Sequence, residues 1–354
     1  MVCDETAGLT DRTNRFDDIS RFKFSGIIAL DHRLEDMDVR VLIKFVLVAV
    51  LCGIATSLPA QWPGTTNPDS GRFWAEAGGM VLDRPGASLG ITLIFDSVTL
   101  APLYTSDDIT DLNGAAGGQF RFGSTSRLLG DWEFGASTAN WDTQFNATGD
   151  NLESPLFPGF SPDSVDILYN SDFYNMEFNL RRAVSPGLTL LIGPRFFSLQ
   201  EDLQILSETE FSAGGVTETF LTGDTVSTRN SSIGAQVGFE FNMPVSQAIY
   251  MQGFFKAAGM GTSTTVDRTS GTNFSDTIVG RDQKSTGTFI GQAGGRVYCE
   301  IFPRTLTSYA GYEATWIDGI ALAPTQFLNT GTESVITSNT VFWHAITFGL
   351  RFSY

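Results

Sequence analysis

The chain ends on NTVFWHAITFGLRFSY, Asn339 to Tyr354. Within it Ile346, Phe348, Leu350 and Phe352 alternate with Thr347, Gly349, Arg351 and Ser353. Successive side chains of an extended strand point to opposite faces, so this period of two predicts a strand with one apolar and one polar side.

The same alternation recurs upstream. Ile233, Ala235, Val237, Phe239 and Phe241 interleave with Gly234, Gln236, Gly238 and Glu240. Tyr174, Met176, Phe178 and Leu180 interleave with Asn175, Glu177, Asn179 and Arg181. Extended in this way, the pattern places strands near 72–82, 115–123, 128–137, 172–184, 187–200, 226–242, 246–259, 284–301, 305–317 and 339–354. The connections alternate between short and long. The short ones carry turn chemistry: Gly123-Ser124-Thr125-Ser126, Ser185-Pro186-Gly187, Asn242-Met243-Pro244 and Phe302-Pro303-Arg304. The others are long, polar and rich in Gly, Asp, Ser and Thr, and Ser88 to Leu100 leaves room for a further strand pair.

Sorting of loops by length is expected of a membrane barrel, with short turns inside and long loops outside. The fold class is therefore all-β: a transmembrane antiparallel up-and-down β-barrel of about ten strands (10–12), occupying 61–354, its last strand closing on the strand near Arg72. The aromatic strand at the C-terminus resembles the signal read by barrel-assembly machinery, which becomes one expected partner. Outer-membrane lipid is the other, because a charge facing lipid at the midplane costs roughly 2–4 kcal/mol and apolar faces must point outward. The polar faces then line the lumen with Glu76, Asp131, Glu133, Glu177, Arg181, Arg195, Glu240, Lys256, Arg296, Glu313 and Arg351. Acids and bases are mixed in this set, so they are expected to pair across a narrow interior. Trp74, Trp132, Tyr174, Tyr250, Trp316, Trp343 and Tyr354 lie near strand ends, where interfacial girdles and lumen or loop packing are both open to them.

Composition agrees. Among 354 residues only 17% are charged, while Gly (37) and Phe (29) abound, which suits strands and tight turns. A net charge of −17 argues against nucleic acid, whose phosphates need clustered Lys and Arg. At the front, Val39 to Gln61 carries basic Arg40 and Lys44, an apolar run from Phe45 to Ile54 and small residues up to Ala60. The run of about ten is short of the roughly 20 that span a bilayer, so 37–60 reads as a removable secretory signal, cleaved after Ala60 or, second, after Ser57. Translation is expected to start at Met37, with 1–36 a mis-assigned or disordered extension. Leu51 is too large for the position before a lipidated Cys52. That leaves Cys299 as the one thiol of the mature chain, facing outward on a strand.

Chemistry-bearing motifs are absent. The mature chain has one histidine, His344, and no HExxH, P-loop, GxGxxG or GxSxG. Asp111-Leu112-Asn113-Gly114 echoes a calcium loop, but Ile109 and Phe120 stand where acids belong. No catalytic residue, cofactor or metal is expected.

Several segments resemble a family of β-barrel porins numerous in planctomycetes. They are Ser171-Asp172-Phe173-Tyr174-Asn175 with Glu177 to Arg182, Leu188 to Phe197, Glu201-Asp202-Leu203, Thr228 to Ser231, Tyr309 to Tyr312, Trp316 to Pro324, and Val341-Phe342-Trp343-His344. Together they cover most of Ser171 to Tyr354, and 61–170 matches loosely. The resemblance implies an outer-membrane barrel with a transport role and supplies no catalytic residues. The expected function is passage of a small solute through a narrow lumen in the bacterial outer membrane. Two alternatives stand beside it: a surface-interaction barrel with an occluded lumen and long acidic loops, and an outer-membrane hydrolase.

Overall fold

The computed structural model describes residues 72–86, 89–125, 131–149, 151–154, 161–185, 187–213, 216–272, 275–327 and 335–354. The extension 1–36 and the signal segment 37–60 lie outside the described residues. The elements are β1 (Arg72–Arg84), β2 (Thr92–Asp96), β3 (Pro102–Thr105), α1 (Ser106–Thr110), β4 (Leu112–Thr125), β5 (Asp131–Thr148), β6 (Leu152–Glu153), β7 (Ser164–Ser185), β8 (Leu188–Ala213), β9 (Val216–Pro244), β10 (Ile249–Thr272), β11 (Ser275–Phe302), β12 (Leu306–Ile320), α2 (Ala323–Phe327) and β13 (Asn339–Ser353).

Ten of the strands form one closed antiparallel barrel in the order β1-β13-β12-β11-β10-β9-β8-β7-β5-β4. The last strand closes on the first, with Glu76 opposite Arg351 and Val81 opposite Ile346. Closure removes both sheet edges. The stretch from Ser88 to Leu100 adds strand β2, but outside the barrel, in a small sheet ordered β3-β2-β6.

The outer face carries an apolar belt. Phe239 and Phe241 of β9, Met251 and Phe255 of β10, and Ile346, Phe348, Leu350 and Phe352 of β13 are all about half exposed. On β13 the belt runs from Phe342 to Phe352, interrupted by His344 beside Asp83, over about 33 Å of strand, or about 25 Å in height once the strands tilt. Glycine and aromatic residues are abundant here for a packing reason. Gly253 stands opposite Phe241 and Gly291 opposite Trp316. A Cβ on Gly253 would meet the Phe241 ring at 2.1 Å, and one on Gly291 the Trp316 ring at 2.0 Å. Each ring occupies the space a side chain at the cross-strand glycine would need.

The strands exceed the belt. The apolar/polar alternation predicts long loops over 201–225 and 260–283, whereas β8 and β9 run on to Ala213 and Val216, and β10 and β11 to Thr272 and Ser275. A membrane-spanning strand takes about 9–11 residues. β7 to β11 have 22, 26, 29, 24 and 28, so this wall rises well beyond the belt, while β1, β12 and β13 have 13 to 15. Thr and Ser on these extensions suit a strand whose outer side meets water, and their loop-like composition concealed it.

Candidate functional site

Within the belt the inward positions are polar. Glu76 of β1 is the most heavily engaged: it faces the guanidinium groups of Arg121 (3.4 Å), Arg351 (3.3 Å) and Arg296 (3.6 Å), and accepts from the Tyr298 hydroxyl (3.2 Å). Arg121 of β4 also reaches Glu133 of β5 (3.0 Å) and Glu240 of β9 (3.2 Å), so it spans the lumen. Arg181 pairs with both Glu133 and Glu240, Lys256 pairs with Glu177, and Arg296 meets Glu313 at 3.5 Å. Five cations and five carboxylates are thereby joined into ion pairs. Amides add further hydrogen bonds: Asn179 donates to Glu133 (3.0 Å), Gln236 to Glu177 (2.9 Å), and Gln119 to the Tyr309 hydroxyl (3.0 Å). Trp74 lies under Arg351, whose guanidinium carbon is 4.4 Å from the ring centre.

Burying charge is costly unless each group is paired and hydrogen-bonded, and here one carboxylate serves several bases at once. The void left among Gln119, Arg121, Asn175, Glu177, Lys256 and Arg296 is about 30 Å³. It has room for a water or two and for no solute.

Of the lumen residues expected from the alternation, Glu76, Glu133, Glu177, Arg181, Glu240, Lys256, Arg296, Glu313 and Arg351 meet in this network. Arg195 is buried beside it and donates to the amide oxygens of Asn175 (2.8 Å) and Gln236 (3.4 Å). Asp131 stands at the start of β5 opposite Arg181 and is half-buried. Two central groups were missed. Arg121 had a signal, since it sits between Phe120 and Phe122 in the expected parity. Tyr298 shares the parity of Arg296, two residues earlier, but as an aromatic it does not count among the polar lumen groups.

A further layer seals the lumen above this network. Trp343 of β13 crosses to the facing wall and packs on Phe173 of β7 (ring centres 5.1 Å apart) and Phe197 of β8 (6.0 Å). All three are at most 5% exposed. Trp343 and Trp74 are therefore lumen residues, while Tyr174 (45% exposed) faces outward.

Beyond the aromatic layer the inward positions turn apolar, with Val165, Ile167, Leu199, Leu203, Ile205 and Val226 buried in one core. The segment carrying β2, β3 and α1 adds Leu93, Ile94 and Ile109, and the segment before β13 adds Leu322, Ala323 and Phe327. One buried ion pair ties both segments down. Arg84 meets Glu201 at 2.9 Å and also donates to Thr110 O (3.3 Å) at the end of α1. The other Glu201 oxygen accepts from Ala323 N (2.9 Å) at the start of α2. Asn230 holds Ala321 at both its N–H (3.0 Å) and its carbonyl (2.7 Å).

At the opposite end the barrel mouth opens into a vestibule of about 420 Å³ lined by Arg181, Asn242, Tyr250, Gln252 and Arg351. On the outer face, His344 lies 3.4 Å from Asp83 and against Tyr312, and Cys299 is free and exposed. Among the described residues no three His, Cys, Asp or Glu side chains converge as a metal site.

No family model and no curated protein matches the chain. Solved structures match the chain at low identity and low structural similarity. The outer membrane protease OmpT of Escherichia coli matches over 84% of this chain and 100% of its own, at 11% identity and a TM-score of 0.39. Ail, the attachment invasion locus protein of Yersinia pestis, matches over 80% and 99%, at 7% identity and 0.21. CarO of Acinetobacter baumannii matches over 77% and 96%, at 10% and 0.22. The chain's own geometry is a closed ten-stranded antiparallel barrel with a filled interior and a polar-surfaced extension.

Proposed function

We propose that the chain is a bacterial outer-membrane barrel whose interior is closed, and that it serves as a stem holding a β-structured head outside the cell for surface interaction. One observation carries this reading: the charged network and the Phe173–Phe197–Trp343 layer follow one another across the same lumen. A path for solute would have to break buried ion pairs and then displace a packed aromatic layer. The apolar belt of about 25 Å supports the membrane placement, since that is the height of a barrel's hydrocarbon-facing band. The lumen carboxylates are committed to Arg and Lys, so the reading assigns no reaction and no cofactor.

Reconstitution into planar bilayers tests it. The expected record is silent, and large, steady unit currents would overturn the closed-lumen reading. Passage of small solutes is the second reading, favoured by the vestibule at the Arg181–Arg351 mouth and by the porin resemblance. It predicts those currents, and it predicts that Arg181→Gln shifts their ion selectivity.

A further inference from the structure

Between β2 and β3 the chain makes a tight turn over Ser97-Val98-Thr99-Leu100-Ala101-Pro102-Leu103. All six residues from Val98 to Leu103 are exposed, with Val98 at 72% and Leu100 at 71%. Four consecutive exposed apolar residues, Leu100 to Leu103, are a liability in a folded protein unless they serve an interaction. The same segment had a core available: Leu93, Ile94 and Ile109, a few residues away, are 0% exposed.

The turn is built rather than loose. The Asp96 carboxylate accepts from Thr99 N (2.8 Å) and Val98 N (2.9 Å). Leu100 N donates to Asp96 O (2.7 Å), Asp96 N to Ala101 O (3.0 Å), and Ser97 N to Asn151 O (2.8 Å). Leu100 is held at φ +56, a left-handed conformation that bulky side chains rarely adopt. Such a scaffold presents the apolar side chains already ordered, which lowers the entropic cost of binding.

Two observations select the partner. First, the turn is remote from the belt. On β5 the outward residues become polar from Thr138 on, and the strand continues to Thr148 before Asn151 meets Ser97. That is about 33 Å along the strand, or about 25 Å above the belt, beyond reach of the protein's own bilayer. Second, its surroundings are acidic. No Lys or Arg occurs between Arg84 and Arg121, while Asp96 lies at the turn itself and β6 sets Glu153 opposite Phe95; Asp107, Asp108 and Asp111 follow at the other end of the hairpin, where Thr105 pairs with Thr92. An anionic lipid surface would be repelled, whereas a cleft with a basic rim would be drawn in.

We propose that Val98 to Leu103 is a docking element for a protein that offers an apolar cleft rimmed by Lys and Arg. The inference rests on the closed-stem reading, which the bilayer recording tests separately. A random peptide-display library is panned on the full-length barrel in nanodiscs and counter-selected on the Val98→Asn/Leu100→Asn/Leu103→Asn variant. Unchanged heat-modifiable migration on gels establishes that the variant folds. Enriched peptides are expected to combine aliphatic or aromatic anchors with basic flanks, to bind the wild type about tenfold more tightly than the variant, and to weaken with salt. Enriched peptides that bind both forms equally, or no enrichment, would overturn the proposal. So would a blue shift of a Val98→Trp reporter on vesicles of phosphatidylcholine and phosphatidylglycerol, which would assign the turn to a membrane surface instead.

Discussion

On β7, Asn175, Glu177 and Asn179 point into the barrel and Tyr174, Phe178 and Leu180 point out. Ten residues earlier on the same strand, Val165, Ile167 and Tyr169 point in and Asp166, Asn170 and Asp172 point out. β8 repeats the change, from buried Arg195 to buried Leu199, Leu203 and Ile205 with Gln200, Asp202 and Gln204 outside. The period of two is unbroken, and the register with neighbouring strands runs on through the change. Only the chemistry of the two faces is exchanged. One sheet thus meets two solvents: lipid against an apolar exterior, which leaves polar groups to pair inside, then water against a polar exterior, which leaves an ordinary apolar core. The aromatic layer of Phe173, Phe197 and Trp343 stands at the changeover.

The contrast is sharpest for buried charge. Arg84 and Glu201 are isolated in the apolar section, so Arg84→Met strands a carboxylate and is expected to cost about 3–5 kcal/mol, read from the denaturant midpoint of the detergent-folded protein. Arg84→Met/Glu201→Leu is expected to recover most of that loss, because the charge itself is then gone. A double variant no more stable than the single one would break the distinction. Next in size, the two outer surfaces are compared with one residue type. Val237→Arg on the belt is expected to cost about 2–4 kcal/mol, and Asn170→Arg, between Asp142 and Asp202 on the upper section, to stay within about 0.5 kcal/mol. Equal costs would mean that both sections face the same solvent. Smaller again, Gly291→Leu places a side chain where the Trp316 ring lies and is expected to cost about 1–3 kcal/mol by overpacking.

The smallest effect concerns the turn. The backbone N–H groups of Thr99 and Val98 hold the Asp96 carboxyl below its ordinary range. A lowered folded-state pKa stabilises the turn above the unfolded carboxyl value near 4 and loses that support as pH falls through the folded value. Amide exchange at Val98 and Thr99 is therefore expected to quicken, relative to the intrinsic rate, as pH drops below about 4. In Asp96→Asn it is expected to be faster at neutral pH and to lack this transition.

Much of the belt was legible. Ile346 to Phe352 and Ile233 to Phe241 show their outward face because hydrocarbon tolerates nothing else there, and the lumen carboxylates follow from parity. The same rule failed where the solvent changed. It predicts loops over 201–225 and 260–283, since Thr, Ser and Asp on both sides of a strand look like loop composition to a reading that expects one apolar face. It was silent on Arg84 and Glu201, charged residues on an inward face whose other members are apolar or uncharged.

What the sequence determined by itself is the alternation, and with it the strand count, the closure of Asn339 to Tyr354 on the first strand, and the polarity of the lumen. Alternation is local and each strand carries its own. Which carboxylate meets which arginine, that Trp343 crosses to Phe197, and that the lumen is thereby filled were decided only by the tertiary structure. Those contacts join strands on opposite walls, and their positions depend on barrel diameter and stagger, which no single strand encodes.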